Sequence, residues 1–385
     1  MTDQAGIRCV LMRGGTSKGL YFHEADLPES GPARDKLLVR LMGSPDVLQI
    51  DGLGGSLPIT SKVAIIARSA RQDADVDYTF GQVELDRPAV GYAGNCGNIS
   101  SGVGPFAIDE GLVAPVAPIT RVRIFNTNTQ TLLIAEVPVV DGRAQVTGDL
   151  AIPGVPGSGA EIVMNWVATI GAKTGRLLPS DQVVDDIALQ NGETVHATLC
   201  DACNPCVWVP AAEFGCNGSE LTTEINENTE LLDTVREIRG KAAVRIGLAT
   251  DWRRVDQHSP GLPMVGLVAA PGDYRTLSGD QAEDKQMDLR VRLLFMNRLH
   301  ESIAGSGSIC LAAASRVPGS VVAEVAENRS PGKLLIGHPS GITPTKVNAR
   351  ATADGITFDV LGFSRTARRL MDGAAYYPHP DNELR

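Results

Sequence analysis

Two stretches of this chain read as diverged copies of one pattern, and no other feature constrains the fold as strongly. Ser61-Lys62-Val63-Ala64-Ile65-Ile66 resembles Pro263-Met264-Val265-Gly266-Leu267-Val268. Gly94-Asn95-Cys96-Gly97-Asn98, followed by Ile99-Ser100-Ser101, resembles Ile303-Ala304-Gly305-Ser306-Gly307-Ser308, followed by Ile309-Cys310-Leu311. Each half then supplies an apolar strand, a small-residue loop and a helix, the mark of a duplicated unit. At 385 residues the chain is long enough for two domains, each with its own core. We expect an α/β (α+β) protein with domains over residues 1–182 and 183–385. The boundary falls in 176–185, where Leu178-Pro179-Ser180 precedes a new strand pattern. If the copies face each other, two helix N-termini converge on one cleft suited to an anion with two or more carboxylates.

The periodicity predicts strands over 8–12, 62–67, 76–83, 121–126 and 132–139. It predicts helices over 33–42, 99–110, 231–240, 287–299 and 309–317, and a Pro- and Gly-rich loop over 151–160. A formal net charge of −10 argues against nucleic acid or an anionic membrane as the main partner. No stretch approaches the ~20 apolar residues that cross a bilayer. The start, Met1-Thr2-Asp3-Gln4-Ala5-Gly6, lacks the regions of a signal peptide, so a cytoplasmic location is expected. Seven cysteines, an odd number unevenly spread, fit free thiols better than a disulfide framework.

Cys96 is the first candidate for chemistry. It lies among small residues before a predicted helix, where unpaired N–H groups and the helix dipole favour negative charge. The thiolate is the reactive form of cysteine, so Cys96 suits a general acid/base or a nucleophile. A small buried residue in a tight turn is the other reading. Gly97, Asn98, Gly305, Ser306 and Gly307, at the two helix starts, suit a bound carboxylate. Arg13, Gly15, Thr16 and Ser17 lie in Met12-Arg13-Gly14-Gly15-Thr16-Ser17-Lys18-Gly19, where small residues, hydroxyls and cations fit an anion as well as they fit a surface turn. Lys62 opens an apolar strand, where it can stabilise an enolate, move a proton, or simply snorkel. Met264 is its counterpart in the second half.

His300 can orient a carboxylate or hold a helix end. Asn204, held extended before Pro205, can present an amide to a ligand or make a plain turn. Cys200, Cys203 and Cys206 form Cys-x-x-Cys-x-x-Cys, but a fourth ligand is missing at the usual spacing and Val207-Trp208-Val209 reads as a buried strand. We therefore expect no metal, and no motif for a nicotinamide, flavin or pyridoxal cofactor is present.

Together these segments resemble the PrpF family of isomerases. The resemblance is carried by Met12 to Gly19, Gln49 to Gly55 with Thr60 to Val63, Asp75 to Tyr78, Gly94 to Val113, Asn126 to Thr129, Asn204 to Cys206 and Ser364 to Gly373. It implies two pseudo-symmetric domains like those of diaminopimelate epimerase, each a sheet wrapped around a central helix, with the active site between them. It implies a cofactor-independent enzyme acting on a small unsaturated di- or tricarboxylate such as 3-methylitaconate, 2-methylaconitate or 4-oxalomesaconate, the first most closely. It also implies a homo-oligomer, dimer or tetramer. The family's catalytic cysteine and lysine fall on Cys96 and Lys62, and Ser17 and His300 fall on substrate-lining positions. The second cysteine of diaminopimelate epimerase falls on Ala304. The expected reaction is thus a 1,3-allylic proton shift. An epimerase, or a carboxylate-binding accessory protein without turnover, is the alternative.

Overall fold

A computed structural model of the protein describes residues 3–92, 95–152, 154–259, 261–352 and 355–378. Met1, Thr2, Gly94 of the loop before the helix predicted over 99–110, and residue 153 of the 151–160 loop lie outside them. The chain divides into two compact units, Met1–Asn165 with Ser364–Arg385, and Trp166–Phe363. The expected boundary at 182/183 is thus displaced to 165/166, and the end of the chain returns to the first unit. Strand pairing explains the return: Ala367–Pro378 runs antiparallel to Gln4–Gly14 over its whole length.

In the first unit, eight longer strands lie in the order Ala367–Pro378, Gln4–Gly14, Ser17–His23, Lys62–Arg68, Val76–Val83, Ile119–Asn126, Thr131–Val140, Ile162–Asn165. Their successive pairings are antiparallel, antiparallel, parallel, antiparallel, parallel, antiparallel, antiparallel. The sheet wraps the helix Gly97–Asp109, which touches all eight strands. Residues Ile99 to Ile108 of this helix are buried on every side, as in a helix enclosed by its own domain. Such enclosure demands small residues. A Cβ on Gly102 would lie 2.4 Å from the Tyr21 hydroxyl, and one on Gly104 would lie 2.7 Å from Val137. The buried hydroxyls of Ser100 and Ser101 donate to the carbonyls of Cys96 and Asn98, so no desolvated group is left over there.

The second unit repeats the design. Its strands are ordered Asp185–Ala188, Thr194–Ala202, Asn204–Pro210, Met264–Ala269, Leu289–Phe295, Lys333–His338, Gly341–Thr352, Gly355–Arg365. The series of parallel and antiparallel pairings is identical to that of the first unit. The helix Gly305–Ala314 is the enclosed one, and a Cβ on Gly307 would lie 2.6 Å from Leu293. The register sets Lys62 against Gly19 and Met264 against Cys206, each the first residue of its strand.

One predicted helix is absent. Residues 287–299, read as a helix, form the strand Leu289–Phe295 and the short strand Arg298–Leu299. Both faces of this strand are buried: Leu294 packs in the outer core, and Leu293, on the opposite face, is enclosed against Gly307 of the central helix. That removes the alternation a half-exposed strand would show. The turn that closes the hairpin uses Met296 and Asn297 at φ 51° and 60°, without the glycine that normally signals it.

The helix Gly97–Asp109 ends on Glu110, a carboxylate placed against the unfavourable end of the helix dipole. Arg8 (2.8 Å), Arg369 (2.7 Å) and His23 (3.0 Å) surround it. Burial pushes the Glu110 carboxyl up, but hydrogen bonds from His23 and Arg369, with the charges of Arg369 and Arg8, hold it below its ordinary 4.5. A depressed carboxyl contributes stability above its ordinary value and loses it as the pH falls through the folded one. Glu110→Gln is expected to cost about 2 kcal/mol at pH 7 by urea unfolding. The gap between the two proteins should close as the pH falls below 4.5, and a gap independent of pH would contradict this account.

Candidate active site

Cys96 is the N-cap of the helix Gly97–Asp109, with extended backbone at φ −116° and ψ 105°. Its carbonyl accepts from the Ser100 amide and hydroxyl, each at 2.9 Å, so the backbone closes the first turn. No side chain caps this start. The first-turn N–H groups therefore remain available to an anion, and the dipole adds to their pull. Cys96 is half-buried. Beneath it lie Tyr21, whose hydroxyl donates to the Ile99 carbonyl at 2.6 Å, and Tyr78. Burial pushes both phenols well above their ordinary value, and charge on Cys96 adds to the effect, so both stay protonated.

The loop between the first two strands is pinned to this helix start. Gly15 has φ +51°, and a Cβ on it would lie 2.2 Å from Asn98 Oδ1. Asn98 Nδ2 donates to Thr16 Oγ1 at 3.0 Å, and its Oδ1 accepts from Arg365 Nε at 2.9 Å. Ser17 opens the second strand and is buried. Thr16, Asn98 and Arg365 thus form one hydrogen-bonded cluster, packed against Gly15, at the Cys96 end of the helix. Arg13 is used differently: its Nη1 donates to the carbonyls of Gly15 (2.9 Å) and Thr366 (2.8 Å). It holds the loop from behind and lines a cavity of about 290 Å³ with Ser158, Thr366 and Arg368.

Lys62 begins its strand two positions beyond Ser17 in the parallel register, at the end of the sheet where that loop lies. Its Nζ donates to Gln82 Oε1 at 2.5 Å and sits 5.2 Å from the Phe80 ring centroid. Gln82 is itself fixed by donating to the carbonyls of Pro58 and Ser61, both at 3.1 Å. Among the described residues no carboxylate pairs with Lys62, so its charge is oriented but not neutralised.

The remaining expected site residues lie in the second unit. Ala304 is the N-cap of Gly305–Ala314, the place Cys96 holds in the first unit. Gly305 is exposed, Ser306 half-buried and Gly307 buried against Leu293. Asn204 starts a strand directly after Cys203, which turns the chain at φ 68°. His300 Nδ1 accepts from the Ser302 amide at 3.0 Å. Burial lowers its imidazole from the ordinary 6.5, so at neutral pH the ring is uncharged with its proton on Nε2.

The Cys-x-x-Cys-x-x-Cys run is a hairpin with Cys200 opposite Cys206, both buried, and Cys310 Sγ donates to the Cys200 carbonyl at 3.2 Å. Among the described residues no three His, Cys, Asp or Glu side chains are grouped to hold a metal ion.

Arg365 escaped the sequence reading. It stands 267 positions from Asn98, and only the return of the final strand to the first unit brings it to the site. Its one signal was its place in the Ser364 to Gly373 segment.

The chain matches a family model described as PrpF protein over residues 4–378. It is 46% identical to the 3-methylitaconate isomerase of Eubacterium barkeri over 378 residues, 98% of each chain. It is 37% identical to the 2-methyl-aconitate isomerase of Shewanella oneidensis, over 98% of each. A solved methylitaconate Δ-isomerase superposes with a TM-score of 0.90 at 45% identity, covering 98% of this chain and 97% of the other.

Proposed function

We propose a mechanism for this chain, which belongs to the PrpF family and is an isomerase of small unsaturated carboxylates: a 1,3-allylic proton shift carried by Cys96 and Lys62. The uncapped helix start at Cys96 is the observation that carries the reading. A Cys96 thiolate removes a proton from a carbon next to a carboxylate and a double bond. The electron pair left behind spreads over the allyl system and the carboxylate as a dienolate. That charge forms where first-turn N–H groups and the Lys62 ammonium can receive it, which is where stabilisation lowers the barrier. The Cys96 thiol then returns a proton to the far carbon, so the double bond has moved and the enzyme is unchanged. Lys62 as the second proton carrier is an equally balanced division of the same roles. Ser17, Thr16, Gly15, Gly97, Asn98 and Arg13 in the first unit serve the carboxylates, directly or by holding the loop. Asn204, His300, Gly305, Ser306 and Gly307 serve them in the second. No cofactor enters this chemistry, because the carboxylate is itself the electron sink.

An epimerase needs a second acid/base, and Ala304 at the equivalent N-cap has none. Cys310 does not replace it, being buried within the helix. We include in the proposal a homo-oligomer, dimer or tetramer. No helix among the described residues is long and apolar enough to cross a membrane.

Proton NMR of 3-methylitaconate in heavy water tests the reaction. The expected result is loss of the exomethylene signals and growth of a new vinylic methyl group that carries solvent deuterium or transferred protium. Exchange of the allylic hydrogen without movement of the double bond would instead establish an epimerase, and binding without either change an accessory protein.

A further inference from the structure

We propose that Arg365 is the positioning residue of this site: its guanidinium locks the Asn98 amide, and through it Thr16, across the helix start, and sets a permanent positive charge against the first turn that follows Cys96. The inference rests on the role given to Cys96 above. Asn98 is two residues past Cys96, in the first helical turn. Arg365 Nε donates to Asn98 Oδ1 at 2.9 Å, and Nη1 donates to the Ser364 carbonyl at 2.9 Å. The second bond fixes the plane of the guanidinium, and the first fixes the amide. A flipped amide would set an NH₂ group against a cation, so Oδ1 must face Arg365 and Nδ2 must face Thr16 Oγ1. The loop hydroxyl is thereby held to the helix by a side chain from the far end of the sequence. Gly15 leaves the room for this, since a Cβ there would come within 3.1 Å of Arg365 Cδ.

Charge is the second half of the role. Burial works against the Arg365 guanidinium, and a Cys96 thiolate works for it. The first turn of the helix carries no acidic side chain to compete. An arginine keeps its charge at every working pH, so the positive field at the helix start does not titrate away.

The test uses the full-length protein and its Arg365→Gln, Arg365→Lys and Asn98→Ala variants. Iodoacetamide alkylation of Cys96 is followed at pH 7 by peptide mass spectrometry, beside turnover of 3-methylitaconate. Loss of the charge slows formation of the reactive thiolate, so Arg365→Gln should be alkylated about fivefold more slowly, with Arg365→Lys near the parent rate. A merely loosened site would do the opposite, because a more accessible thiol reacts faster. Asn98→Ala keeps the cation but loses the lock, so its KM should rise about tenfold while the alkylation rate holds. An Arg365→Gln rate equal to or above the parent overturns the electrostatic half, and an unchanged KM in Asn98→Ala overturns the locking half. If Arg365→Gln does not fold, parent-like alkylation with a raised KM in Arg365→Lys supports the proposal, since lysine keeps the charge but not the planar fork, and a parent-like KM there opposes it. Alkylation needs no turnover, so a Cys96→Ser protein that stayed active would remove the catalytic reading and leave this measurement standing.

Discussion

Cys96→Ser is expected to be more stable than the parent protein and nearly inactive. The two effects have one cause. Cys96 is an N-cap whose side chain makes no capping hydrogen bond. A serine hydroxyl is among the best acceptors for first-turn N–H groups, and gaining that bond stabilises by about 1 kcal/mol. The same bond consumes donors that would receive the substrate carboxylate or the dienolate. The hydroxyl is also too weak an acid to serve as an anionic base near neutral pH. We expect turnover of 3-methylitaconate to fall about a thousandfold, as for removal of a general base. Cys96→Ala removes the sulfur without adding the cap, so it should match the parent in stability and lose activity to a similar extent. Urea unfolding and single-substrate kinetics on the three proteins decide the matter. Full turnover in either variant would take Cys96 out of the mechanism.

Gly15→Ala is the second large effect, and it should act through a residue 83 positions away. At φ +51° a Cβ costs about 1 kcal/mol in backbone strain. It would also stand 2.2 Å from Asn98 Oδ1, a separation no packing tolerates. Asn98 must swing aside and give up both Thr16 and Arg365. The combined loss should be about 3 kcal/mol, with kcat/KM down about a hundredfold. Adding Asn98→Ala removes the colliding amide. The double variant should then be less destabilised than the sum of the single ones, the sign of residues in contact. Strict additivity across this cycle would show that the clash is relieved elsewhere.

How far the site was legible follows from where its parts lie in the chain. The Cys96 loop, the Lys62 strand and the Thr16 loop each announce themselves locally, by small residues before a helix or a cation before an apolar run. The pairing of Lys62 with Met264, read from two short stretches, returns in the strand register. The helix after Cys96 begins at Gly97, two residues before its apolar period starts at Ile99, because Gly97 and Asn98 form the first turn without burying apolar side chains. Strand 289–295 lost its alternation to burial on both faces, and its hairpin lost the usual glycine. Arg365 and the membership of 367–378 in the first unit were out of reach. They depend on a pairing between the two ends of the chain, which no local pattern encodes.

That pairing bears on how the protein comes off the ribosome. The first unit cannot be completed from its own contiguous sequence, because its edge strand and Arg365 are synthesised only after the second unit. The second unit, Trp166–Phe363, emerges whole before them. Vectorial synthesis then favours a reversed order of maturation, with the later-encoded half closing first and the half that bears the thiol waiting for the strand Ala367–Pro378 to emerge. A nascent chain released before residue 364 would carry one finished half and a thiol-bearing half that still lacks its edge strand.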